Sequence, residues 1–411
     1  MSGTRSEKFS RDYYFLVLVR FLGSFSVQLQ AVIIGWQMYQ FTRNPLDLGL
    51  LGLAEAVPAL GLALFAGYIV DRVNPKKIMR VVILVSLASM LIAWVAKEPK
   101  HLFFAAILTG LARSFYSPSF QALTPRLVSK AILNRAIALS NSSMKLAYIS
   151  GPAVGGILLG FGGAGPAYAI GSTFLALAFI FVFAFYYDHT PFHAKQEKEA
   201  VFIDELLAGL VFVFRNRLLL AVLSLDMFAV LFGGVTAMLP IISVEVLHAG
   251  PQGLGFLRAS PAVGAMVMSL LLITKPVNKN AGKILLKVVA GFGVCILLFA
   301  LSKNLILSCV VLVLSGALDS VSMIIRGAIV QLCSPEEMRG RIASVNSIFI
   351  GSSNELGAFE SGVAAKLLGL IPSLFFGGAM TLVTVAIIAR FVPELANADL
   401  DSLSPENASQ K

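Results

Sequence analysis

The chain has 411 residues, of which 57% are hydrophobic and 13% charged, and its mean hydropathy is +0.84. Globular domains keep far more polar area for water, so a soluble protein is excluded. The formal net charge of +10 does not indicate nucleic acid once the charges are placed along the chain, as described below.

A hydrocarbon core of about 30 Å takes about 20 apolar residues per helix. Twelve spans are predicted in chain order: 13–39, 47–70, 76–96, 101–123, 134–161, 165–187, 218–246, 251–274, 282–302, 304–328, 341–367 and 371–392. The first follows Arg5, Lys8 and Arg11 but is too long for a secretory signal, and no small-residue cleavage site follows it. With the amino terminus inside, the inner loops hold roughly 23 Lys and Arg, the outer loops about 5 and the spans about 4, which is the positive-inside pattern. The charge is topological, and both termini are expected in the cytoplasm.

The expected organisation is a first six-helix bundle (1–187), a cytoplasmic linker (188–217), a second bundle (218–392) and a polar, loose cytoplasmic tail (393–411). The linker contains His189, His193, Lys195, Lys198, Arg215 and Arg217, and its stretch Ile203–Phe214 reads as amphipathic, lying along the inner surface. The halves repeat. Leu51-Gly52, Glu55-Ala56, Pro58-Ala59 and Gly61 align with Leu254-Gly255, Arg258-Ala259, Pro261-Ala262 and Gly264. Thr109-Gly110 matches Ser315-Gly316, and Gly151…Gly156 matches Gly357…Gly362. Repeated halves are a transporter signature, with the substrate site expected near the bilayer midplane.

Two motifs carry a resemblance. Between the second and third spans lies Gly67-Tyr-Ile-Val-Asp71-Arg72-Val-Asn-Pro-Lys76-Lys77, and the fifth span contains Ala147-Tyr-Ile-Ser-Gly151-Pro152-Ala-Val-Gly155-Gly156. The first resembles the hinge of the major facilitator superfamily, Gly-x-Leu-x-Asp-Arg-x-Gly-Arg-Lys, with Asn74 and Pro75 in place of glycine and arginine. Asn tolerates a left-handed turn and Pro suits the first helical position, so the turn is expected to survive. The second resembles the Gly-x-x-x-Gly-Pro-x-x-Gly-Gly motif of the proton-antiporting exporters, with Ala147 for the first glycine. Arg113…Pro118…Pro125, Asn134, Asn141 and Pro335…Arg339-Gly340-Arg341 resemble the bacterial macrolide-efflux and enterobactin-exporter group.

The resemblance implies an all-α membrane protein of about twelve transmembrane helices in two pseudo-symmetric six-helix bundles, working by alternating access. It implies that Asp71 latches the amino terminus of the eleventh helix near Gly340 and Arg341, through attraction between an anion and a helix dipole. The implied activity is export of a small amphipathic organic compound, drug-like or siderophore, from the bacterial inner membrane by proton antiport. The expected partners are substrate, lipid and protons, the expected state is a monomer, and the proton gradient replaces any cofactor. An importer, a uniporter or a non-transporting sensor of the same fold stays open.

Charges inside apolar spans are paired, wet or functional. They are Arg20, Glu55, Arg113, Lys145, Asp226, Arg258, Asp319, Arg326, Glu355 and Glu360. Glu55 and Arg258 occupy matching repeat positions with opposite sign and read either as a gate pair or as charges with separate partners. Arg113 reads as a cavity cation or the partner of a buried acid. Asp319 and Arg326 share a helix face, and Arg326 is read as snorkelling to the inner surface. Asp226, Asp319, Glu355 and Glu360 are candidate proton carriers, with Asp319 and Glu355 favoured. Enzyme signatures are missing: there is no His-Glu-x-x-His, no Gly-x-Ser-x-Gly and no phosphate loop. Cys295, Cys309 and Cys333 have no metal-ligand spacing and imply no disulfides.

Overall fold

The computed structural model describes residues 9–186, 208–274, 277, 279–335 and 338–403. It consists of α1 (Arg11–Thr42), α2 (Pro45–Arg72), α3 (Pro75–Trp94), α4 (Pro99–Leu127), α5 (Leu133–Gly162) and α6 (Ala164–Ala184), then α7 (Arg217–Gly233), α8 (Gly250–Thr274), α9 (Ala281–Leu301), α10 (Leu305–Leu332), α11 (Arg339–Leu368) and α12 (Leu370–Phe391). Only helix can satisfy every backbone group in lipid without a closed barrel. Of the linker stretch predicted as amphipathic, 208–214 lies in a helix running to 215, and Arg217 opens α7, while 203–207 and His189, His193, Lys195 and Lys198 fall outside the described residues.

Asparagine sets many of the starts. Asn44, Asn74, Asn216 and Asn304 each accept a backbone N–H from the first turn of α2, α3, α7 and α10. Pro45 and Pro75 follow two of these caps, where a missing N–H is harmless. Asn74 has φ −55°, so the expectation of a left-handed turn there is corrected: the residue is an N-cap.

Ten of these helical segments among the described residues are long and apolar enough to cross a bilayer. The other two long helices are α4 and α11. Lys100, His101, Arg113 and Arg126 dilute the first, and Arg341, Asn354, Glu355 and Glu360 the second. The predicted span 218–246 is not one helix. α7 stops at Gly233, and a 3-10 turn (Val235–Met238), a short α turn (Leu239–Ile241) and a π turn (Ile242–Val246) continue it. Ser361 Oγ of α11 donates to Gly234 O at 3.0 Å, supplying a partner to backbone freed by the break.

Two compact units are present: Met1–Lys195 with Ser243–Ala259, and Gln196–Ile242 with Ser260–Lys411. In the first, α1 packs on α5 and α6, and α4 on α2 and α3. In the second, α9 packs on α10 and α12, and α7 on α11 and α12. The repeat read from sequence recurs as contacts. A Cβ at Gly110 of α4 would strike the α2 backbone and ring at Glu55 and Pro58; one at Gly316 of α10 would strike the α8 backbone at Pro261. Likewise, a Cβ at Gly151 of α5 would lie 2.9 Å from Phe25 O of α1, and one at Gly357 of α11 would lie 2.9 Å from Leu231 O of α7. Phe25 to Leu231 is the same sequence offset as Gly151 to Gly357. Small residues at equivalent sites bring equivalent helix pairs together.

The tail is not loose where it is described. Pro393–Ala396 and Leu400–Leu403 are helical, Leu395 is fully buried, and Gly282 N donates to Ala398 O at 2.9 Å. An apolar residue in the tail anchors it beside the start of α9.

Candidate functional site: charges buried within each unit

In the first unit Arg113 of α4 and Glu55 of α2 form an ion pair at 3.0 Å, with side-chain exposures of 48% and 26%. The close approach at Gly110 brings those helices together just beside the pair. Glu55 is thus ion-paired with Arg113. Arg258 is partly buried, its Nε has no hydrogen-bond partner among the described residues, and Glu55 is the acid whose charge reaches it.

In the second unit Asp226 of α7 and Arg326 of α10 form an ion pair, with exposures of 7% and 4%. The reading of Arg326 as a snorkelling surface residue is corrected: its guanidinium is spent on a buried acid. Asp226 also lines a small cavity with Val288 and Phe292 of α9 and with Asp319 and Ser322 of α10. The shared face of Asp319 and Arg326 thus brings two acids and one base to adjoining sites. Asp319 and Glu360 are both partly buried, and neither has a basic partner among the described residues. Glu355 lies on α11, with its side chain outside the described residues.

The α5 motif is buried at Ala147, Gly151, Pro152, Gly155 and Gly156. Gly155 faces Leu29 of α1, and Gly156 meets the backbone of Gly255 so closely that a Cβ on either would collide with the other. Pro152 sits inside the helix without ending it. Around Ser243–Ala259 the same unit adds a contact that the sequence did not reveal. Tyr39 Oη donates to Glu245 Oε1 at 2.7 Å and accepts from Arg43 Nη1 at 3.2 Å. A buried chain from Gln30 Nε2 to Ser89 Oγ (2.8 Å) and from Ser89 to Thr109 (2.8 Å) was also missed, because isolated Ser and Thr carry no sequence signal.

At the α2–α3 hinge, Gly67 has open space where a Cβ would lie, and Arg72 and Lys77 are exposed. Lys76 Nζ donates to Phe185 O and lies 4.5 Å from the Phe185 ring, tying α3 to the end of α6. The Asp71 side chain is outside the described residues. Gly340 and Arg341 fall in the first turn of α11, where Arg341 is partly buried.

Known proteins agree with this architecture. A family model described as "Transmembrane secretion effector" matches residues 9–410. The enterobactin exporter EntS of Shigella dysenteriae serotype 1 (strain Sd197) is 26% identical over 392 residues, covering 90% of this chain and 91% of that protein. Among solved structures, the nucleoside transporter NupG superposes with TM-score 0.71 at 12% identity, covering 93% of this chain and 99% of that one. An inward-facing, unoccupied bacterial homologue of the human lysosomal transporter Spinster gives TM-score 0.70 at 13% identity, covering 97% and 99%. These last two speak for the fold alone. The chain is a multi-pass membrane transporter, not an enzyme, and belongs to the transmembrane secretion effector family of the major facilitator superfamily.

Proposed function

We propose that the protein is a monomeric secondary active exporter of the bacterial inner membrane, with both termini in the cytoplasm, that expels a small amphipathic organic compound in exchange for protons. The observation that carries this reading is the second unit's cluster, in which Arg326 neutralises Asp226 and leaves Asp319 in the same cavity wall without a base. A carboxylate with no counter-charge among apolar residues takes up a proton, whereas one that gains water or a cation releases it. An acid that moves between those surroundings exchanges a proton on each cycle. The antiporter-type α5 motif and the relatives named as enterobactin exporters support export, and favour a siderophore-like cargo over a drug.

Purified protein in liposomes with an imposed proton gradient and no ATP tests the reading. Gradient-driven movement of cargo that collapses with a protonophore supports it. Movement that needs ATP and ignores the gradient overturns it. Within the reading Asp319 is the first carrier, followed by Glu355, with Asp226, Glu360 and Glu55 behind them. Arg113 remains the cation proposed across the cavity, and Glu55 with Arg258 the proposed gate charges.

A further inference from the structure

The repeat offset that relates Phe25 to Leu231 also relates Arg20 to Asp226 and Phe120 to Arg326. In the second unit the equivalent positions hold a closed ion pair. In the first unit Arg20 lies over the Phe120 ring at 5.3 Å, and the acid is missing. Nη1 of Arg20 donates to Ser140 Oγ at 2.8 Å, Nη2 reaches only Met144 Sδ at 3.4 Å, and the buried Nε has no partner. The titratable groups facing Arg20 are tyrosines, among them Tyr148, which is 46% exposed. No carboxylate among the described residues pairs with it.

The same stretch of α5 carries a second cation. Lys145 follows Met144 near the middle of α5 and is exposed, with no ion pair among the described residues. On a helix Asn141, Lys145 and Tyr148 form one stripe, all three exposed, beside the face that packs on α1. A lysine within an apolar span is costly in hydrocarbon without a partner, which favours water or a ligand over lipid for this stripe. Ring faces attract cations, but they supply no net negative charge.

We propose that Arg20 and Lys145, with Tyr148, Met144 and Phe120 around them, form a binding site in the first unit for an organic anion carrying an aromatic ring. The anion supplies the charge that Asp226 supplies in the second unit, and the tyrosine and thioether pack its ring. The site deepens the export reading by naming the cargo's chemistry and rests on that reading only for the claim that the ligand is transported.

Equilibrium binding to the full chain in detergent, without any gradient, tests the site. The probes are naphthalene-1-carboxylate and its neutral counterpart naphthalene-1-methanol, titrated by calorimetry. The carboxylate is expected to bind at least about tenfold more tightly, a difference of about 1.4 kcal/mol. Arg20→Gln should erase that preference and Lys145→Gln should reduce it several-fold. Arg20→Lys, which keeps the charge, should retain part of it and serves if Arg20→Gln does not fold. Equal binding of the two probes overturns the site, as does full preference in both Lys145→Gln and the folded Arg20 variant. A preserved anion preference in protein that shows no proton-driven flux upholds the site and counts against antiport alone.

Discussion

Asp226 of α7 and Arg326 of α10 neutralise each other with less than a tenth of either residue exposed. Removing one partner strands the other charge. Asp226→Leu is expected to destabilise the folded protein by about 3–5 kcal/mol, and Asp226→Leu with Arg326→Met to recover most of that loss, because a buried pair is often replaceable by apolar packing. Thermal unfolding in detergent reads both. A double variant no more stable than the single would show that the pair does more than neutralise charge.

Asp319 should separate coupling from binding. Asp319→Asn is expected to abolish accumulation driven by a proton gradient while leaving downhill exchange. Flux with and without a gradient in the same liposomes measures this. Full pH-dependent antiport in both Asp319→Asn and Glu355→Gln would move the carrier to Asp226, Glu360 or Glu55.

The hinge has its own signature. Asp71→Asn is expected to leave the protein folded and to cut transport severely, since a shift of about 1–3 kcal/mol redistributes nearly balanced states. Normal flux at normal abundance would remove the hinge from the mechanism.

Gly156 and Gly255 admit no side chain between them. Gly156→Val should lose transport through overpacking of about 1–3 kcal/mol, whereas Gly67→Ala, placed in open space, should be tolerated. Flux normalised to protein in the membrane distinguishes the two.

Leu395 is completely buried. Leu395→Ala is expected to lower stability by about 2–5 kcal/mol. A melting temperature equal to that of the parent chain would mean that the tail only rests on α9.

Helix number and limits were legible because lipid forces a long apolar run for each crossing, and Asn-Pro pairs mark the starts of α2 and α3. The break after Gly233 was not, since Gly234 through Val246 is as apolar as a helix and only tertiary partners such as Ser361 make the irregular backbone tolerable. The charged residues were individually legible, each being costly in lipid, but their pairing was not. Sequence aligned Glu55 with Arg258 through the repeat, but did not show that the Gly110 contact also brings Arg113 to it. Arg326 looked superficial by position along its helix, and only the packing of α10 on α7 turns it inward.

Glycines 110 and 316, and glycines 151 and 357, sit against matching backbones in the two units. The two units thus repeat their helix contacts but not their charges. One unit holds acid and base as a closed pair at Asp226 and Arg326; the other holds arginine and phenylalanine at the positions of the same sequence offset. The scaffold repeats and the chemistry does not, so a substitution at Arg20 or Phe120 alters the charge or shape of the first unit without touching the glycine seats that hold either unit together.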